Sequence, residues 1–190
     1  MPTNEIERWS PIKVWLYSLL WRSPKSNRAA VEFAALSERD RFLDVGCGLG
    51  AALDHAAATG AEVAGVDPSP SMVARASRRV PEADVREGSA EAIPFPDDHF
   101  TVAINVSSFH HWADREAGLK ELLRVLAPGG RLHVVEDKLK EGKDGHGLSY
   151  SDSQVLAAKL ADLGYAEAAI DEMKPGWWRR YMVVTGVAPS

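Results

Sequence analysis

Only one cysteine, Cys47, occurs in the 190 residues, so no internal disulfide can form and a reducing, cytoplasmic setting is expected. No apolar run is long enough to cross a bilayer. The longest, residues 14–21, is broken by Ser18 and falls far short of the roughly 20 residues that a span needs. Glu5, Glu7 and Arg8 ahead of it also argue against a secretory signal, and no stable membrane insertion is expected. Positive charge is not in excess either: 22 Lys+Arg against 27 Asp+Glu leave a formal net charge of −5. Without a domain-wide basic field to displace counterions from phosphates, a nucleic-acid partner is not expected. Repeats and low-complexity tracts are missing as well. What remains, 45% apolar and 26% charged residues, is the composition of one globular domain with a core of its own.

From residue 41 onward, short apolar runs alternate with helical patterns. Strands are predicted over 41–46, 62–67, 83–88, 100–106 and 131–136. An Ala-rich helix over 51–59 is closed by Gly60, and Ser69-Pro70 opens another that runs to about Val80 by supplying a cap and a first-turn proline. Asp114 caps a helix whose Leu119, Leu122, Leu123 and Leu126 share one face, and Pro128-Gly129-Gly130 stops it. Residues 138–147 are charged and glycine-rich, a loop. Val155, Leu156, Lys159, Leu160 and Leu163 outline a last amphipathic helix ended by Gly164. Two final strands are predicted over 165–173 and 178–187, joined through Lys174-Pro175-Gly176. The alternation implies a Rossmann-like, doubly wound α/β fold: seven strands, mostly parallel, with the last strand pair antiparallel and helices on both faces.

The most informative segment is Leu43-Asp44-Val45-Gly46-Cys47-Gly48-Leu49-Gly50, where the first strand turns into the first helix. Glycines there let backbone approach a ligand, and a helix start offers unpaired N–H groups. The same residues read as a plain turn, or, through Gly46-x-Gly48-x-x-Ala51, as a dinucleotide loop. Asp67, at the end of the second strand, suits a pair of ribose hydroxyls, which nicotinamide and adenosyl cofactors share. Asp44 separates the readings, since a carboxylate at that strand end repels a pyrophosphate and attracts an amino group or a sulfonium.

That glycine loop resembles the first motif of class I S-adenosylmethionine-dependent methyltransferases. Further segments in order are similar to the same family: Gly65-Val66-Asp67-Pro68-Ser69-Pro70-Ser71-Met72, Gly88-Ser89-Ala90-Glu91-Ala92-Ile93-Pro94-Phe95, and then Phe100 to Trp112 together with Glu121 to Gly130 and its Pro128-Gly129-Gly130 turn. The resemblance covers about half the chain and is nearest to the small-molecule branch related to quinone-biosynthesis methyltransferases. It implies S-adenosylmethionine as cofactor. Asp44 and the backbone of Gly46, Cys47, Gly48 and Gly50 would then hold its methionine part, Asp67 its ribose, Met72, Ser89 and Ala90 its adenine, and Asn105 would line the pocket. Ser89 and Thr101 stand where the family often has Asp. The resemblance implies no metal, and along the sequence no His/Cys/Asp cluster stands at metal spacing.

For the chemistry, His110 and His111 follow the fourth strand at the carboxyl end of the sheet, as a general base or as pocket wall. His133 reads as a satisfied core residue, Cys47 as a small packing residue. Residues 1–40 are expected to form a helical cap or lid, and residues 41–190 a single methyltransferase unit. Ile6, Trp9, Ile12, Trp15, Leu16, Leu19 and Leu20 give the cap an apolar face that suits a lid, simple packing or membrane contact. The expected function is methyl transfer to a small-molecule acceptor, in a monomer or a homodimer. The rivals are an NAD(P)-binding oxidoreductase and a cofactor-binding regulator without transfer activity.

Overall fold

Strand β1 (Arg41–Val45) is buried along Phe42, Leu43, Asp44 and Val45, as a strand covered on both faces must be. It lies near the middle of a seven-stranded sheet in a computed structural model that describes residues 24–177 and 179–190. The remaining elements are α1 (Pro24–Ala34), α2 (Ala51–Ala57), β2 (Glu62–Asp67), α3 (Pro70–Arg79), β3 (Asp84–Glu87), β4 (Phe100–Val106), a 3-10 turn (Phe109–His111), α4 (Arg115–Val125), β5 (Leu126–Asp137), α5 (Tyr150–Asp162), β6 (Ala166–Met173) and β7 (Tyr181–Val187). The strand order is β3-β2-β1-β4-β5-β7-β6, and β7 runs antiparallel to both its neighbours. The chain winds outward from β1 through β3, then crosses back to β4. The carboxyl ends of β1 and β4 therefore flank a topological switch point, where open α/β sheets bind ligands.

Strand alternation sorts the core into two faces. Leu43, Val45, Ala103, Leu132 and Val134 pack under Leu119, Leu122 and Val125 of α4 and Leu156 and Leu160 of α5. Phe42, Val63, Val102 and Ile104 pack on the other face with Ala52, Leu53 and Ala56 of α2, Ala76 of α3, and Val31 and Ala34 of α1. Ala30 of α1 extends that face to Val135, Tyr181 and Val183. Residues 24–34, assigned to the cap by the sequence reading, thus pack into the body of the domain. The apolar segment from Ile6 to Trp21 lies outside the described residues, as does Trp178.

The helix starts follow their caps. The Asp114 side chain accepts from the Ala117 amide at 3.0 Å, and Pro70 occupies the first turn of α3. Helix α5 begins well before the predicted Val155, because Ser149 and Asp152 form a reciprocal capping box that the apolar pattern did not reveal. Val155 itself is 70% exposed, so the predicted apolar face is narrower than its spacing suggested. Pro128-Gly129-Gly130 does not separate helix from strand. β5 starts directly at Leu126, pairs with Phe100, and takes the three residues as an irregularity before Arg131 pairs with Val102. Gly129 donates to the Ala188 carbonyl and Ala188 donates back to that of Gly130, which ties the bulge to the C-terminal segment.

Candidate active site

A cavity of about 520 Å³ opens at the switch point. Gly46, Gly48, Asp67, Pro68, Ser69, Met72, Ser89 and Ala90 form one wall; Ser107, Ser108, His110, His111 and Trp112 form the other. On the first wall the glycine loop is stitched internally. Gly46 and Cys47 both donate to the Val66 carbonyl, at 2.8 and 3.0 Å, and Gly50 donates to the Cys47 carbonyl at 2.9 Å. Those N–H groups, expected to face a ligand, instead hold the turn against β2. Gly46 has φ +79°, and a Cβ there would collide with the Ser108 side chain, so only glycine lets the two walls meet this closely.

Asp67 is the acid of this wall. Its Oδ2 accepts from the Gly48 amide and its Oδ1 from the Ser69 amide, each at 2.9 Å. Burial raises its pKa above the ordinary carboxylate range, and these two backbone donors pull the other way. Each oxygen keeps a lone pair for a ligand hydroxyl. Asp44 lies off the cavity lining and is buried; desolvation, reinforced by the charge of Asp67, pushes its carboxyl up to about 7. A cation nearby would restore it to its ordinary range.

Three more of the predicted residues sit behind the lining. The Cys47 thiol is buried against Gly65, where burial pushes its pKa up and makes it inert packing. Gly50, at φ +72°, lies against Ala76 of α3. Asn105 is fully buried; its Nδ2 donates to the Val45 carbonyl at 2.8 Å and meets Ser108 Oγ, tying β1 to β4. Its Oδ1 has no protein partner. The departures at Ser89 and Thr101 are absorbed. Ser89 still lines the cavity, while Thr101 donates to Asp40 and accepts from the Arg41 amide at the opposite end of β1.

The second wall contains groups that the sequence reading missed. Glu136, buried at the end of β5, accepts from the Phe109 amide through Oε1 and meets His110 Nδ1 through Oε2, both at 2.8 Å. A carboxylate there makes Nδ1 the donor and leaves the Nε2 lone pair available. Ser107, the residue after β4, has φ 52°, a left-handed conformation that turns the chain sharply into the 3-10 turn. Trp112 packs edge-on to Phe109 with centroids 4.9 Å apart and fills the space over Gly118, where a Cβ would come within 2.5 Å of its ring. Glu91 accepts from the Ala113 and Asp114 amides, and Arg124 holds the Ile93 and Phe95 carbonyls, so the segment from Glu91 to Phe95 is fastened to α4 and the turn before it.

His146, from the loop after β5, stands next to the histidine pair: its ring lies 4.7 Å from His110 and 5.6 Å from His111. The absence of a metal-spaced cluster along the sequence therefore does not carry over to space. His133 also differs from expectation. It is buried against Phe33, but neither ring nitrogen has a partner, and desolvation with the nearby Arg131 charge pushes its pKa down to about 4. Among the described residues no helix is long and apolar enough to cross a membrane.

Residues 43–134 match a family described as a methyltransferase domain. A demethylmenaquinone methyltransferase of Thermus thermophilus is 42% identical over 124 residues, 62% of this chain and 54% of that one. A 27-O-demethylrifamycin SV methyltransferase of Amycolatopsis mediterranei is 40% identical over 100 residues, 49% of this chain and 37% of that one. The chain thus matches about half the length, or less, of these curated relatives. In fold, the crystal structure of a SAM-dependent methyltransferase from Aquifex aeolicus superposes with a TM-score of 0.76 over 95% of this chain and 99% of that one, at 21% identity.

Proposed function

With a class I S-adenosylmethionine-dependent methyltransferase domain forming the core of the chain, we propose that the protein methylates a small, planar acceptor bearing an acidic hydroxyl, of quinol or phenol type, with His110 taking up the proton. One observation carries this reading: a single cavity joins the ribose-type acid Asp67 to a histidine braced by a buried carboxylate. The volume lies within the range of ligand clefts. The first wall fits the cofactor. Asp67 keeps acceptor capacity for two hydroxyls, Met72 offers an apolar contact at the cavity wall, and Asp44 is a buried acid that gains from a cationic neighbour.

When bound, S-adenosylmethionine supplies a methyl group on a cationic sulfur, which passes to the acceptor as the carbon–sulfur bond breaks. The residues of this chain align and discharge the acceptor. Glu136 fixes the His110 ring through Nδ1, so that Nε2 can accept the proton released as the acceptor attacks. Trp112 provides an aromatic surface for a planar acceptor. Asp67 and the glycine loop hold the donor in register, and much of the rate gain comes from that alignment. The acceptor is proposed to be a small molecule rather than nucleic acid, and the setting cytoplasmic.

The test is a methylation screen of quinols, phenols and amines with labelled cofactor, read by transfer of label and by mass. Transfer to hydroxylated aromatics, lost in His110→Ala, is the expected result. Transfer to amines alone would overturn the acceptor class, and no transfer to any class with cofactor still bound would favour a non-transferring regulator.

A further inference from the structure

We infer that His110, His111 and His146 form a binding site for a divalent transition-metal ion, closed by the loop after β5. One nitrogen from each ring lies within 4.8 Å of the other two. Three imidazoles around zinc, at about 2.0–2.1 Å each, need nitrogens about 3.3 Å apart, so a small inward movement of an exposed loop residue completes the set. His111 and His146 are both exposed, which leaves their rings room to turn.

Two further features mark a built site. His110 Nδ1 is engaged by Glu136 at 2.8 Å, which orients the ring and directs Nε2 outward. A carboxylate holding the far nitrogen of a ligating histidine is the usual support behind a metal centre. Second, the loop carrying His146 is pinned at its base. Leu139 donates to the Leu148 carbonyl and Leu148 to that of Asp137, each at 2.9 Å, while Glu141 accepts from the Tyr150 and Ser151 amides at the start of α5. Gly147 packs against the Asp137 carbonyl so closely that no side chain fits there. His146 is therefore delivered to the pair by an anchored turn.

Imidazole donors suit zinc, cobalt, nickel, copper or iron over magnesium or calcium. Three histidines leave a tetrahedral ion one open position, and two of the three line the cavity, so that position faces the acceptor wall. An acceptor oxygen bound there would lose its proton more readily, and the ion would claim the Nε2 lone pair otherwise used for proton uptake. The site stands on the three histidines and does not depend on methyl transfer.

Tag-free protein titrated with cobalt(II) reports the site by visible absorption, and equilibrium dialysis with zinc(II) gives stoichiometry and affinity. The expected result is one ion per chain, with His146→Ala and His111→Ala each weakening binding at least about tenfold and Glu136→Gln about 10–100-fold. Binding of S-adenosylhomocysteine by the same variants confirms that each is folded. A wild-type protein that takes up no zinc or cobalt overturns the proposal. So does an affinity unchanged in His146→Ala.

Discussion

The two walls of the cavity are built in opposite ways. The first is nearly contiguous: a glycine loop, a strand-end acid and a helix start between residues 43 and 72, joined by Ser89 and Ala90 and stitched by backbone amides to the Val66 carbonyl and the Asp67 carboxylate. The second is assembled from distant segments, with His110 and His111 after β4, Glu136 ending β5 and His146 on the following loop. The contiguous wall can be prebuilt because its donors are satisfied within the turn. The assembled wall depends on sheet register, since β4 and β5 must pair with Val106 opposite Val135 to bring Glu136 under Phe109 and His110.

The largest effect is expected from the assembled wall. His110→Ala should lower kcat about 10²–10⁴-fold with the accepted substrate while leaving cofactor affinity intact. Glu136→Gln should give a smaller loss, because the ring loses the carboxylate that orients it at 2.8 Å. Equal loss of cofactor binding in either variant would erase the distinction between the walls.

The same contrast explains what was legible beforehand. The fold follows from strand and helix alternation; Asp67 stands out as an acid at a strand end, while Met72, Ser89 and Ala90 come only from the resemblance, and all four line the cavity. Glu136 reads in sequence as one more residue at a strand end; only its pairing partner reveals its use. His146 hides in a charged, glycine-rich loop with no periodicity to place it. Gly50, Cys47 and Asn105, which the resemblance places at the cofactor, lie behind the cavity lining, where they pack the turn and join β1 to β4. His133 departs from the rule that buried polar groups are hydrogen-bonded, and nothing in its strand position signals that.

His133 and Asp44 sharpen the comparison through stability. His133 has its pKa lowered from 6.5 to about 4, so the unfolded chain binds more protons in that window. Its neutral form contributes fully above pH 6.5, and the contribution declines as pH falls toward 4, by about 3 kcal/mol at most. Asp44, raised from 3.8 to about 7, acts in reverse: its contribution is full below 3.8 and is lost as pH rises through 7. Urea unfolding of wild type and His133→Leu should therefore show the variant gaining on wild type by up to about 3 kcal/mol as pH drops from 7 to 4. A constant gap would mean that His133 is not buried in neutral form.

A smaller effect is expected on affinity. If the Asp44 carboxylate serves the cationic end of S-adenosylmethionine, binding should tighten about tenfold from pH 6 to pH 8 as the group ionises, and Asp44→Asn should flatten that dependence. An equal pH dependence in the variant would assign it elsewhere.

The division of the cavity is tested most directly by calorimetric titration of S-adenosylhomocysteine into wild type, Asp67→Ala and His110→Ala, a measurement that needs no knowledge of the acceptor. The account predicts that Asp67→Ala weakens binding by about 1–3 kcal/mol, the loss of a charged acceptor for two ligand hydroxyls, while His110→Ala binds as wild type does. Unchanged affinity in Asp67→Ala, or a loss in His110→Ala as large as that in Asp67→Ala, would contradict it.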